Sequence, residues 1–267
     1  MRLSLTPLPG LPAEIEPGDD LAALIVAAAR KVEPPLAAET RVGPPATEPF
    51  LAGDVLAVAH KAVSKAEGRL RDLRQVKPGR DAAALAQVHD KDPRHVQVVL
   101  DESRELLRAQ RGVLICVTHH GFVCANAGVD ASNVAGEDTV VLLPQDPDHS
   151  ARRLRQRLRE LTGVAPAVII TDSFGRAWRV GQSDVAIGCA GVSPLSDWRG
   201  SRDAHGRELK ATHIATADEL AGAADAARRK DAGEAVVLIR GAAAHVTAED
   251  GPGAVALVRP EPDDLFR

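Results

Sequence analysis

The sequence predicts a mixed α/β (α+β) protein, because apolar runs of strand length alternate with amphipathic helical segments and polar residues directly follow the runs. Its 267 residues allow one large domain or two interlocked domains. Hydrophobic residues make up 45% of the chain but aromatic residues only 2%, without tyrosine. The core must therefore consist mainly of Ala, Val, Leu and Ile.

Five apolar runs have the length and composition of buried strands. They cover residues 54–59, 112–118, 139–143, 167–171 and 235–239. Polar residues stand just beyond most of these runs, namely His60-Lys61, His119-His120, Asp172 and Arg240-Gly241.

Three helices are predicted from their caps and from the spacing of their apolar residues. Asp92 caps one of them, whose apolar face spans residues 96–107. Asp20 caps another, and a leucine stripe over residues 154–161 marks a third, which stops near Gly163.

The segments between these elements are predicted to lie at the surface. Pro-rich stretches at residues 34–35 and 44–49 are expected to be connections, and residues 74–90 a polar insertion or flexible loop. Five arginines between residues 152 and 159 fall mostly off the leucine stripe, so we expect a solvated helix face and not an anion site.

Charge and composition argue against two classes of partner. With a formal net charge of -4 the chain lacks the basic field that holds nucleic acid. No apolar run is long enough for a signal peptide or a membrane span, which predicts a cytoplasmic protein that binds no membrane. The three cysteines lack CxxC spacing and are expected to be buried free thiols.

The densest polar segment is residues 121–133. Asp130, Ser132 and Asn133 offer a carboxylate, a hydroxyl and an amide, and Gly128 permits a tight backbone. These oxygen ligands suit Mg²⁺ or Mn²⁺. The same residue types also close ordinary turns, so this segment alone leaves both interpretations open.

A second polar segment, residues 171–176, follows an apolar run directly. Asp172 stands beside the hydroxyl of Ser173, and Arg176 is available for a phosphate. A pair of carboxylates such as Asp130 and Asp172 is what a divalent ion bridging phosphate oxygens would use. The common nucleotide-binding motifs are absent from the sequence, so spacing does not identify a base.

Lys61 and Lys65 are four residues apart, so on a helix they share a face and repel each other unless an anion lies between them. A phosphate would serve, and a solvated face is the alternative. Arg199 and Asp203, in a stretch that mixes Gly with charges, fit surface ion pairs or substrate contacts equally well.

Three strings carry a resemblance to a known family: residues 61–69 (KAVSKAEGR), 120–133 (HGFVCANAGVDASN) and 171–188 (TDSFGRAWRVGQSDVAIG). They resemble the coenzyme F420-0:L-glutamate ligases, also called F420-0:gamma-glutamyl ligases, and the similarity runs from about residue 11 to residue 241. The resemblance implies one ligase domain over residues 1–267, without the C-terminal nitroreductase-like domain of many actinobacterial relatives.

The resemblance also implies an unusual topology, with mixed sheets and packed helices, in an intertwined homodimer. It implies GTP as co-substrate and two divalent ions, Mg²⁺ or Mn²⁺, together with K⁺. Asp130 and Asp172 would be catalytic residues that hold one metal ion, and Ser173 would contact the second. The residues expected to bind the nucleotide are Leu11, Pro12, Ile15, Lys61, Ser64, Lys65, Asn133 and Arg176.

Two positions depart from the family pattern. Ser173 stands where the family often has Thr, which keeps the hydroxyl. Residues 229–233 replace a stretch that usually has Gly beside Lys or Gln near the nucleotide, so contacts with the base are open there.

The reaction that the resemblance implies joins L-glutamate to coenzyme F420-0. A carboxylate of the acceptor attacks the terminal phosphate of GTP, and the glutamate amine then displaces phosphate from the acyl phosphate. Later additions would use the gamma-carboxylate of the glutamate already attached. Without the resemblance, the paired aspartates fit a metal-dependent nucleotide phosphohydrolase or a non-catalytic nucleotide-binding sensor as well.

Overall fold

The structure is a computed structural model that describes residues 2–32, 49–132, 136–229 and 231–265. Its elements in chain order are β1 (Ser4–Pro7), α1 (Leu21–Ala29), β2 (Val55–Ala59), α2 (His60–Ala66), β3 (Leu70–Asp72), α3 (Arg80–His89), α4 (Pro93–Asp101), β4 (Ser103–Gln110), β5 (Val113–Thr118), β6 (Val123–Ala125), β7 (Thr139–Val141), α5 (Pro147–Thr162), β8 (Ala167–Arg176), β9 (Arg179–Ala190), β10 (Ser196–Asp197), β11 (His213–Ile214), α6 (Thr216–Ala227) and β12 (Val236–Arg240). The predicted mixed α/β class is confirmed. The Pro-rich stretches at 34–35 and 44–48 lie outside the described residues.

A five-stranded mixed sheet forms the centre, in the order β1-β12-β2-β8-β9. β2 and β8 run parallel, and the other neighbours are antiparallel. Because successive side chains of a strand point to opposite faces, Leu56 and Val168 pack with α1, α2 and α5, whereas Ala57 and Ile169 share the second core. α6 covers that second face. The sheet is thus buried on both sides, as its nearly uninterrupted apolar strands predict.

A second unit packs α3 and α4 on the antiparallel sheet β4-β5-β6 around its own core. It corrects two predictions. The helix capped by Asp92 ends at Asp101, and residues 103–110 form β4, because pairing with β5 overrides a helical spacing that continued through Leu106 and Leu107. Residues 74–90 are also no loop, because they contain α3, an amphipathic helix that buries Ala82 and Ala86.

The predicted ends of α1 and α5 are confirmed, whereas those of two strands are not. Asp20 caps α1 by accepting a hydrogen bond from the Ala23 N–H at 3.1 Å. α5 ends at Gly163, which adopts the left-handed conformation with φ +76°. β7 stops two residues short of the predicted strand, and β8 extends five residues beyond its prediction to Arg176.

Helix α5 holds the C-terminal segment against the sheet through two buried charged side chains. Asp148 accepts hydrogen bonds from the N–H groups of Cys189 at 2.8 Å, Ala254 at 2.6 Å and Val255 at 3.1 Å. Arg155 donates to Asp250 at 2.7 Å and to the carbonyl oxygens of residues 247 and 248. The expectation of a solvated face is therefore wrong for Arg155, whose side chain is 9% exposed.

All three cysteines are buried free thiols, as predicted. Burial raises the pKa of the Cys124 and Cys189 thiols to about 12. Within the described ranges, no helix has the length and apolar character needed to cross a membrane.

Candidate functional site

The site begins where two parallel strands end side by side. Ala59, the last residue of β2, pairs in register with Thr171 of β8. The chain then enters α2 with His60 and Lys61, while β8 continues with Asp172 and Ser173. Two polar pairs that are far apart in the sequence therefore meet at one edge of the sheet.

Asp130 reaches the same edge through the small sheet β3-β7. Its backbone exchanges hydrogen bonds with Val141 at 3.0 and 2.8 Å, and β7 pairs with β3, which follows α2. Gly128 makes this path possible, because it adopts φ +72° and a Cβ there would lie only 2.7 Å from the Leu143 side chain. The Asp130 carboxylate thus lies 2.6 Å from the Lys61 ammonium.

These groups line a cleft of about 710 Å³. Its walls come from five segments that are separated along the chain, within residues 12–15, 59–65, 130–132, 171–184 and 228–235. The cleft therefore brings together Asp130 and Ser132 of the first predicted polar segment, residues 171–173 of the second, and the predicted lysine pair.

Asp172 is held by a buried histidine. His60 Nε2 lies 3.3 Å from Asp172 Oδ1, and His60 Nδ1 lies 3.4 Å from Ser64 Oγ. Burial raises the pKa of Asp172, but the His60 ring, the Ser173 N–H and the Lys61 charge outweigh it, so that the pKa lies below its ordinary value. Asp172 is accordingly a carboxylate at neutral pH.

The pKa of Asp130 is set by a similar balance. Burial raises its pKa, but hydrogen bonds from Lys61 and from the Ser132 N–H and the charge of Lys61 bring it below the ordinary value. The same ammonium donates to Ser132 Oγ at 2.7 Å. Lys61 therefore contacts both Asp130 and Ser132, the two described residues of this loop whose oxygens could bind a metal ion.

The floor of the cleft contains a buried ion pair. Asp184 accepts hydrogen bonds from Thr171 Oγ1 at 2.9 Å and from Ser173 Oγ at 2.6 Å. The Arg228 guanidinium donates to the same carboxylate at 3.1 Å. Burial lowers the pKa of Arg228, and the charge of Asp184 opposes that shift.

The lysine pair lies on one face of α2, as expected, and each ammonium has a carboxylate neighbour that offsets its charge. Lys61 lies 2.6 Å from Asp130, and Lys65 lies 3.6 Å from Glu14. The alternative prediction, a solvated face, is wrong for Lys65, because its side chain is only 9% exposed. Both lysines line the cleft, and their contact with an anion stays a prediction.

Of the residues predicted to bind the nucleotide, only some line the cleft. Pro12, Ile15, Lys61 and Lys65 line the cleft. Three others do not line it: Leu11 packs against the first core, Ser64 is fully buried, and Arg176 donates to backbone oxygens at the exposed end of the β8–β9 hairpin. Asn133 lies outside the described residues. Arg199 forms an exposed ion pair with Asp197.

The oxygen donors of the cleft fit a hard divalent ion. Asp130, Ser132, Asp172 and Ser173 present carboxylate and hydroxyl oxygens to one cavity. Among the described residues, no three His, Cys, Asp or Glu side chains are grouped to hold a metal ion. A metal here would take one or two protein carboxylates and complete its shell with water and phosphate oxygens, which is the usual pattern for Mg²⁺.

Several polar residues that line the cleft were not assigned to the site from the sequence, among them His60, Gln182, Asp184 and Arg228. His60 was noted only as a polar residue after a predicted strand, which is the position that Asp172 also has. Asp184 also left a signal, a single carboxylate next to the apolar residues 185–187. Arg228 left none, because it stands among charged residues at a helix end.

Comparison with known proteins gives one consistent result. A family model described as F420-0:Gamma-glutamyl ligase matches residues 11–241. The chain is 45% identical to the coenzyme F420:L-glutamate ligase of Methanopyrus kandleri, over 99% of this chain and 98% of that protein. It is 41% identical to the enzyme of that name from Methanothermobacter thermautotrophicus over the full length of both. The corresponding enzyme of Methanocaldococcus jannaschii is 43% identical over 82% of this chain and 86% of its own.

Proposed function

The chain belongs to the F420-0:gamma-glutamyl ligase family, and from this membership we propose that it is a GTP-dependent ligase that joins L-glutamate to coenzyme F420-0. The first bond would be an amide to the phospholactyl carboxylate of the acceptor. Further additions would form gamma-glutamyl bonds. The enzyme would act in the cytoplasm as a homodimer.

One observation carries the proposal beyond the family name. The cleft brings two carboxylates of lowered pKa, Asp130 and Asp172, together with the cations of Lys61, Lys65 and Arg228. An acid–amino-acid ligase needs both charges, because it must hold a polyphosphate beside the metal ions that neutralise it. Carboxylates serve the metal, and ammonium groups serve the phosphates.

In this proposal Asp130 and Asp172 would hold one Mg²⁺ or Mn²⁺, Ser173 would contact the second ion, and K⁺ would assist. Bound divalent ions would supply charge neutralisation for phosphoryl transfer. Lys61 would exchange its contact with Asp130 for a phosphate oxygen. His60 would keep Asp172 oriented, and residues 12–15 and 228–235 would enclose the nucleotide from both sides.

The proposed reaction proceeds by two displacements. The acceptor carboxylate attacks the terminal phosphorus of GTP, and GDP leaves. The amine nitrogen of glutamate then attacks the acyl carbon, phosphate leaves, and the amine gives up a proton to form the amide. In this proposal the cleft residues would orient the acceptor carboxylate in line with the terminal phosphate of GTP.

Incubation of the purified protein with coenzyme F420-0, L-glutamate, GTP and Mn²⁺, followed by mass spectrometry, tests the proposal. We expect glutamyl products and an equal amount of phosphate, and neither when the acceptor or glutamate is omitted. Phosphate release without acceptor and glutamate would indicate a phosphohydrolase. Nucleotide binding without any turnover would indicate a sensor.

A further inference from the structure

Arg228 connects the floor of the cleft to one of its walls. It stands at the C-terminal end of α6, and its guanidinium donates to the Ala57 carbonyl of β2 at 3.3 Å, to Thr171 Oγ1 of β8 at 3.3 Å and to the Asp184 carboxylate of β9 at 3.1 Å. Its side chain is 6% exposed. One residue thus contacts three neighbouring strands, directly before Arg229 and residues 233–235 of the cleft wall.

The partner of Arg228 controls the hydroxyl groups of the floor. Asp184, whose side chain is 2% exposed, accepts from Thr171 Oγ1 and at 2.6 Å from Ser173 Oγ. A hydroxyl carries one hydrogen, so a Ser173 that donates to Asp184 offers only acceptor lone pairs to any other neighbour. Lone pairs are what a cation requires of a hydroxyl ligand.

A buried carboxylate needs a partner of opposite charge, since an uncompensated buried charge is strongly unfavourable. Arg228 forms an ion pair with Asp184 and supplies such a charge. The Nε atom of Arg228 is buried without a hydrogen-bond partner in the described part of the chain. Such a geometry serves stability poorly, because an unsatisfied buried donor costs free energy.

We infer that Arg228 is a positioning residue of the cleft, which acts through Asp184 to hold the Ser173 hydroxyl with its oxygen ready to accept a divalent cation. The inference rests on the proposed function, because it takes Ser173 as a metal contact. It adds two residues to the site: Asp184, which accepts the hydrogen bond of the Ser173 hydroxyl, and Arg228, which forms an ion pair with Asp184. Outer partners of this kind commonly change metal affinity by about 10- to 100-fold when they are removed.

Binding of Mn²⁺, measured by electron paramagnetic resonance of the free ion in the presence of GDP, tests the inference without turnover. Ser173→Ala, Arg228→Met and the double variant form a cycle, and Arg74→Met, which breaks an exposed ion pair with Asp72, is the matched control. We expect both single variants to weaken Mn²⁺ binding by at least about tenfold and the double variant to be no weaker than Ser173→Ala. The control should bind as the parent does.

The double variant Arg228→Met/Asp184→Leu decides the question if Arg228→Met does not fold, because it removes both buried charges together. We expect it to fold and to lose Mn²⁺ affinity like Ser173→Ala. Parent-like Mn²⁺ binding by a folded Arg228 variant would overturn the inference but not the proposed function. The same holds if the losses of Mn²⁺ affinity from Ser173→Ala and Arg228→Met add up in the variant that carries both. Parent-like binding by Ser173→Ala would overturn both the inference and the metal assignment in the proposed function.

Discussion

The two cleft carboxylates, Asp130 and Asp172, differ in what holds them. Asp172, whose side chain is 17% exposed, lies beside the buried His60, whereas Asp130 is 40% exposed and contacts Lys61. We expect Asp130→Ala and Asp172→Ala each to lower the ligation rate by at least about 100-fold, because lost charge neutralisation in phosphoryl transfer is worth several kcal/mol. Turnover and circular dichroism would be measured together.

Asp81→Ala is the matched control for these variants, because Asp81 is an exposed carboxylate on α3 outside the cleft. It should retain the parent rate. If the folded Asp130 and Asp172 variants turn over nearly as fast as the parent, the metal assignment is wrong.

The lysines of α2 allow a separate prediction. Lys61→Gln and Lys65→Gln should both weaken binding of GTP or of coenzyme F420-0, since each removes a positive charge from the cleft wall. Lys61 is the more exposed, so its contribution should decline as the Debye length falls from about 10 Å at 0.1 M salt to about 3 Å at 1 M. Titration of each ligand at both salt concentrations provides the measurement.

The salt dependence also separates charge from packing. A Lys61→Gln variant that loses affinity equally at both salt concentrations would indicate lost contacts of the four-carbon stem and would contradict the charge argument. Unchanged binding of both ligands by both variants would show that the lysines contribute to the fold alone.

Among the elements of the central sheet, β2, β8, β12, α1 and α5 were predictable, whereas β1, β9 and α6 were not. In the second unit, β5 and the start of α4 were predicted, but α3 and β4 were not. Buried strands such as β2, and helices with a capping residue such as Asp20, can be recognised from their own residues. β4 cannot, because Leu106 and Leu107 continue the helical spacing of α4 and only pairing with β5 makes the segment a strand. Polar composition likewise concealed α3, whose buried face consists of alanines.

Helix α5 carries the clearest stability prediction. Asp148 accepts three backbone N–H groups, from Cys189, Ala254 and Val255, and is almost completely buried. Asp148→Ala should lower the free energy of unfolding by about 3–5 kcal/mol, because it leaves several buried donors unsatisfied at about 1–3 kcal/mol each. Urea unfolding followed by circular dichroism measures the change.

The comparison variant is Asp146→Ala, which removes only the N-cap of the same helix and should cost about 1 kcal/mol. A loss no larger for Asp148→Ala than for Asp146→Ala would mean that the C-terminal segment contributes little to stability.

Across the whole molecule, the composition of the cleft could be predicted only in part. Asp130, Asp172 and the lysines were visible as local clusters of polar residues, and the parallel neighbours β2 and β8 explain why they meet. Asp184 and Arg228 belong to the same floor through contacts that span 44 residues, and the local sequence around Asp184 does not identify Arg228 as its partner. A site assembled from five segments depends on the topology of the sheet.

The choice of nucleotide depends on the same assembly. We expect GTP to support ligation with a kcat/KM at least about tenfold above that of ATP. Guanine and adenine present opposite donors and acceptors at their six-position, so a cleft that pairs with one base leaves a polar group unsatisfied with the other, at about 1–3 kcal/mol. Inosine triphosphate keeps the guanine pattern at that position, so its rate should lie closer to that of GTP. Steady-state rates with each nucleotide at matched concentrations measure this preference. A preference for ATP would contradict the prediction and would point to residues 229–233, which are expected to depart from the family pattern, as the cause of changed base recognition.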